Sequence, residues 1–138
     1  MKIMAIDYGL KRIGLATTDS SGTISQPFMV IKNRGPKKNV AMLGFVIRQE
    51  GVEKIVIGLP LYRDGNESPM CEQVREFGEL LREKTNLEII YVDERHTSSD
   101  AEEHIRENLG ITNPTKIREM VDKMAASMIL SNYINGRN

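Results

Sequence analysis

Cysteine occurs once, as Cys71, so no disulfide can close within the chain and a secreted disulfide framework is excluded. The only histidines, His96 and His104, leave no Cys/His cluster with zinc-site spacing. Long hydrophobic runs are missing too. None approaches the ~20 residues needed to cross a bilayer, and the opening Met1 to Asp7 reaches charge too early for a signal-peptide core. We therefore expect a cytoplasmic chain with no membrane contact. Nor is there an excess of one charge: 19 Lys and Arg balance 19 Asp and Glu, without the basic surplus that often marks a nucleic-acid binder. A total hides local structure, however, because an acidic site beside a basic track cancels in the sum. No repeat, low-complexity tract or long linker marks a boundary, so residues 1–138 are read as a single domain, long enough to bury a core.

What is present is a sequence of short apolar runs whose period changes once. Ile3 to Ile6 ends at Asp7; Tyr8-Gly9 and Lys11-Arg12 turn the chain into Ile13 to Thr18; a turn at Asp19 to Gly22 leads to a third run, Ile24 to Ile31. This opening predicts an antiparallel three-stranded meander. Helical spacing then appears in Val40, Leu43 and Ile47, stopped by Gly51 before a strand over Lys54 to Gly58. Ser68-Pro69 predicts the start of a helix carrying Met70, Val74, Phe77 and Leu81, and Leu87 to Val92 predicts a strand. Ser99 with Glu102 has capping-box spacing ahead of Ala101, Ile105 and Leu109, with Gly110 as the stop. Asn113-Pro114 opens a last helix with Ile117, Val121, Met124 and Met128 on one face and Gly136 as its terminator. The predicted order is βββαβαβαα: an α/β fold with a mixed five-stranded sheet flanked by helices.

Acids stand at three places where a bare charge is costly. Asp7 sits where a buried strand meets a glycine turn; its ordinary reading is an Asx turn onto the amide two residues ahead. Asp93 and Glu94 follow an apolar strand, and the ends of parallel strands are where ligands gather. Side chains alternate along a strand, so one of the two is expected to be a ligand and the other its support, with Glu94 favoured; alternatively Arg95 simply pairs with one acid or meets a phosphate. Asp122 lies amid Val121, Met124, Ala125 and Ala126, small enough to pack a helix close to the sheet, unless Arg118 or Lys123 pairs with it. If the three sites converge they suit Mg²⁺ or Mn²⁺, hard cations with oxygen ligands, and through them phosphodiester hydrolysis.

At these residues the sequence closely resembles the YqgF family, also called RuvX. The resemblance rests on Asp7-Tyr8-Gly9 with Arg12-Ile13-Gly14-Leu15-Ala16, Gly58-Leu59-Pro60 with Asp64-Gly65, Asp93-Glu94-Arg95 with Thr97, and Val121-Asp122-Lys123 with Ala125-Ala126, and it spans nearly the whole chain. It implies a ribonuclease H-like fold and a metal-dependent nuclease. Its substrate would be either the 5′ end of pre-16S ribosomal RNA or, as a Holliday junction resolvase, branched four-way DNA. Carried over by position, the resemblance makes Asp7, the Asp93-Glu94 pair and Asp122 the catalytic acids. The metal ligands would be Asp7, Glu94 and Asp122, and the nucleic-acid contacts Arg12, Arg95, Thr97 and Lys123.

His96 stands where the family commonly has an aliphatic residue; beside a metal it could assist proton transfer, or be an ordinary half-buried histidine. His104 is expected on the surface. The stretch Tyr62 to Gly65 is either a loop that touches nucleic acid or a plain turn. Two rival functions remain at this level: a noncatalytic nucleic-acid-binding or ribosome-assembly module, and a nucleotide-phosphate site of the kind found in ATPases, which need two copies of the fold. A junction resolvase needs a symmetric homodimer, whereas RNA-end processing needs only a monomer.

Overall fold

The computed structural model describes residues 1–95 and 97–136, the side chain of Ser98 excepted. Three antiparallel strands open the chain: β1 (Ile3–Tyr8), β2 (Arg12–Thr18) and β3 (Ser25–Lys32). Helix α1 (Pro36–Glu50), strand β4 (Lys54–Leu59), helix α2 (Pro69–Thr85) and strand β5 (Ile89–Asp93) follow, then helices α3 (Thr97–Asn108) and α4 (Pro114–Ile134). The sheet order is β3-β2-β1-β4-β5, with β1, β4 and β5 mutually parallel. This is the mixed five-stranded sheet expected from the βββαβαβαα pattern.

Alternation of side chains assigns each strand residue to one of two unlike faces. On one face Met4, Ile6, Ile13, Leu15, Ile55 and Ile57 meet α1 and α2 through Leu43, Phe77 and Leu81. These large side chains fill a thick layer, and truncating Phe77 to alanine would cost about 3–5 kcal/mol. The other face is paved with small residues, Ala5, Ala16 and Val56, and against it lie Ala126, Ile129 and Leu130 of α4. With so little volume between them, helix and sheet backbones approach closely. A Cβ added at Gly14 would meet the Asp122 carbonyl at 3.1 Å.

Several boundaries follow local chemistry. Gly51 takes a left-handed φ of 67° and its amide caps α1, as its position predicted. Asn113 caps α4, its Oδ1 accepting from the amides of Thr115 at 3.0 Å and Lys116 at 3.2 Å. Ser68 occupies the cap position of α2 but makes no side-chain cap bond.

Three expectations are corrected. Ser99 is not a helix cap, because α3 is already formed at Thr97, whose amide donates to the Glu94 carbonyl at 3.1 Å. His96 lies outside the described residues, so its expected proton-transfer role does too. The buried face of α4 is Ile117, Ala125, Ala126, Ile129 and Leu130, while Val121, Met124 and Met128 are only half-buried. The small-residue sheet face selects alanine at the closest approach and leaves the methionines to flank it. Leu109, 49% exposed, likewise misses the buried line of α3, which is Ala101 and Ile105. Among the described residues no helix is long and apolar enough to cross a membrane.

Candidate active site

Asp7 lies within β1, paired with Gly14 of β2, and not after the strand end. Its neighbour Tyr8 points to the opposite face and stacks on Phe77, with ring centroids 4.4 Å apart. That anchor fixes the backbone at Asp7 and turns its carboxyl toward α4. The Asx-turn reading fails, because the Gly9 amide donates to the Arg12 carbonyl at 3.0 Å instead.

Strand β4 runs beside β1, and Gly58 pairs with Val92 of β5. Alternation therefore places Asp7, Gly58 and Glu94 on the α4 face, at the carboxyl ends of parallel strands. Gly58 is the space that Glu94 fills: a Cβ there would stand 2.8 Å from the Glu94 carboxyl carbon and 2.8 Å from Ile129 Cδ1. In that gap the Glu94 carboxyl lies close enough to Asp7 for a protonated Glu94 to donate to it.

Two carboxyls in contact cannot both ionise at ordinary cost. Glu94 carries the shared proton, pushed up to about 9 by burial first and then by the charge of Asp7. Asp7 is also raised, by burial, with the hydrogen bond from Glu94 opposing the shift and the Asp122 charge adding to it.

Asp93 takes the other direction. Its Oδ1 accepts from the Arg95 amide at 2.8 Å and its Oδ2 from Arg95 Nε at 2.7 Å. Arg95 Nη1 also donates to the Arg63 carbonyl at 3.2 Å, tying the turn after β4 to the end of β5. That turn is compact: the Gly65 amide donates to the Tyr62 carbonyl at 2.9 Å, the Tyr62 amide to the Asn66 carbonyl at 2.8 Å, and Asp64 accepts from the Asn66 amide at 2.9 Å.

Asp122 pairs with neither Arg118 nor Lys123 but with Arg12, whose Nε and Nη2 lie 2.9 and 2.8 Å from Oδ2. The pair is half-exposed, so it contributes at most about 1 kcal/mol and is easily exchanged. Of the remaining expected contacts, Lys123 is exposed and Thr97 is buried at the start of α3. His104 is on the surface as expected.

The structure thus brings Asp7 and Glu94 together, sets Asp122 within electrostatic reach of Asp7, and turns Asp93 away. Among the described residues no three His, Cys, Asp or Glu side chains are already clustered tightly enough to hold a metal. The donor chemistry nevertheless fits a hard cation: two oxygen-bearing groups share a proton that a divalent ion would displace. Gly58 and Gly14, which make room for Glu94 and for the approach of Asp122, lack any side-chain signal of their own. Strand period alone, placing a glycine beside an acid on one face, could have marked them.

A family model described as RuvX, Holliday junction resolvase, matches residues 1–136. The chain belongs to the RuvX family. RuvX relatives match along almost their whole length. One from Endomicrobium trichonymphae is 40% identical over 97% of this chain and 95% of its own. One from Chloroflexus aurantiacus is 36% identical over 98% and 87%. Both bear the name "Putative pre-16S rRNA nuclease". Among solved structures, the fowlpox virus Holliday junction resolvase superposes with a TM-score of 0.59 at 15% identity, covering 99% of both chains. Thermus thermophilus RuvC does so at 0.57 and 14%, covering 99% of this chain and 96% of that one. At such identities the likeness is one of fold, and the fold is ribonuclease H-like.

Proposed function

We propose that this RuvX chain is a metal-dependent nuclease that hydrolyses phosphodiester bonds in maturing the 5′ end of pre-16S ribosomal RNA. It would work in the cytoplasm as one domain spanning residues 1–138. The observation that carries this reading is the juxtaposition of the Asp7 and Glu94 carboxyls on one sheet face at the ends of parallel strands, in the space that Gly58 leaves, where burial raises both. A stable fold has little reason to keep that arrangement, since two carboxyls resist ionisation in contact; a cation-binding site does.

Asp7, Glu94 and Asp122 would hold Mg²⁺ or Mn²⁺. Such a cation supplies an activated water and stabilises the leaving oxygen of a phosphodiester. For the protein's own groups the consequences are specific. As ligands, Glu94 would give up the proton it carries and Asp122 would exchange Arg12 for the cation. Arg12, freed of its partner, then faces the phosphate whose charge it can match with a guanidinium fork. Asp93 stays on Arg95 and keeps the β5 terminus in register for Glu94.

The second reading, a Holliday junction resolvase, is favoured by the description of the matching family. It differs in needing two sites on a symmetric dimer, where RNA-end maturation needs one. The deciding experiment offers labelled pre-16S RNA and a four-way DNA junction side by side, with Mg²⁺ or Mn²⁺ and an Asp7→Asn control. Cleavage of RNA alone, lost in Asp7→Asn, supports the proposal; cleavage of the junction alone transfers the chain to the second reading.

A further inference from the structure

Arg12 and Lys32 are register partners on adjacent strands β2 and β3. Like charges directly opposite on a sheet are unfavourable; Asp122 offsets that of Arg12, while Lys32 has no carboxylate of its own among the described residues and is free to meet an outside anion. Alternation puts both on the α4 face, where Arg12 meets Asp122 in the N-terminal half of that helix. Two depressions of about 540 and 440 Å³ adjoin there and share Arg12 and Val30 as a common wall. Lys11 and Lys32 line the first, Arg118 and Lys123 the second, with Glu119 and Asp122 the only acids in either lining. Among the described residues, none of Lys11, Lys32, Arg118 or Lys123 has a carboxylate within ion-pair distance, whereas Lys2, Lys54, Arg75, Arg82 and Arg106 each do.

At the tip of the β1–β2 turn, between Gly9 and Lys11, stands Leu10, 72% exposed and a wall of the first depression. Turn geometry does not call for leucine, since a polar residue serves a solvent-facing tip better. An apolar side chain amid unpaired cations fits a ligand with charge along one edge and flat apolar surface along the other. A nucleic-acid strand with unpaired bases is such a ligand.

We propose that the surface from Leu10 through Lys11 and Lys32 to Arg118 and Lys123 is a track for an unpaired RNA strand. The cations hold successive phosphates and Leu10 rests against an exposed base next to the scissile position. This extends the nuclease reading by naming the form of substrate and the residues that guide it to Asp7 and Glu94. None of the track cations named for testing is needed to hold the carboxyl pair.

The test is equilibrium binding of a fluorescent single-stranded RNA oligonucleotide and of the same sequence as a duplex, in chelator, so that no cleavage occurs. Lys11→Ala combined with Lys32→Ala should weaken single-strand binding about tenfold and lower the salt slope by about 1.4, two contacts at ~0.7 each. Leu10→Ser should weaken single-strand binding about threefold with the salt slope unchanged and duplex binding unaffected. Lys84→Ala, exposed on α2, should change neither, and thermal melts should show all variants folded. Affinity unchanged in the double variant, no binding by the wild type, or an equal effect of Leu10→Ser on the duplex each overturn the track. The nuclease reading stands or falls separately, because binding that follows the track without any metal-dependent cleavage would leave the track intact and remove the enzyme.

Discussion

Asp7 and Glu94 hold one proton between them, and that proton links the pH to the stability of the metal-free protein. Glu94 keeps it to about pH 9 in the folded chain, against an ordinary value of 4.5. Between those values the folded state binds more protons than the unfolded one, so stability is greatest at the acid end and declines as pH rises from about 4.5 to about 9. In chelator the wild type should therefore melt lower at pH 8 than at pH 6. Glu94→Gln, which cannot ionise, should flatten that dependence, and the same slope in both proteins would remove Glu94 as its source. Gly58 offers a second residue-scale test, because a methyl there must displace the Glu94 carboxyl or Ile129. Gly58→Ala should cost about 1–3 kcal/mol in urea denaturation. It should also lower single-turnover cleavage about 100-fold, as a misplaced ligand does. Cleavage retained at the wild-type rate would show that Glu94 has no fixed place in the reaction.

Among elements, the β1–β2 turn is held from below by a small amide network. Asn33 Nδ2 donates to the Gly9 carbonyl at 2.9 Å, and its Oδ1 accepts from Asn39 Nδ2 at 2.8 Å. Asn39 Oδ1 in turn accepts from the Arg34 amide at 2.9 Å. Asn39 is buried at the start of α1, so Asn39→Ala leaves these partners unsatisfied and should cost about 1–3 kcal/mol, read from urea denaturation. A loss below a few tenths would mean that water replaces the amide freely. Elements were also what the sequence displayed best. Period-two runs, Gly51 and Asn113-Pro114 fixed nine elements in order, because those signals are local. Alternation made legible that Asp93 and Glu94 face opposite ways, but not which of them faces Asp7. The face α4 buries was not legible either, since it is chosen by the small residues of a sheet far away in sequence, against the greater hydrophobicity of Met124 and Met128. The Arg12–Asp122 pair, 110 residues apart, left no local trace at all.

Across the whole molecule the balanced charge resolves into opposed regions. Lys11, Arg12, Lys32, Arg118 and Lys123 gather around Asp122 and Glu119, while Glu67, Glu72, Glu76 and Glu79 line a groove along α2 with Arg75 as its lone cation. A cation bound at Asp7 and Glu94 must displace the proton, so added Mg²⁺ or Mn²⁺ should raise the melting temperature more at pH 8 than at pH 6. Equal shifts at both pH values would place the cation elsewhere. The most direct test of the carboxyl pair as the metal site is calorimetric titration of Mn²⁺ at pH 7 in two buffers of different ionisation enthalpy, on the wild type and Asp7→Asn. We expect binding with release of about one proton per ion in the wild type and no binding in the folded variant. Equal binding by both proteins, or binding without proton release, would contradict the account.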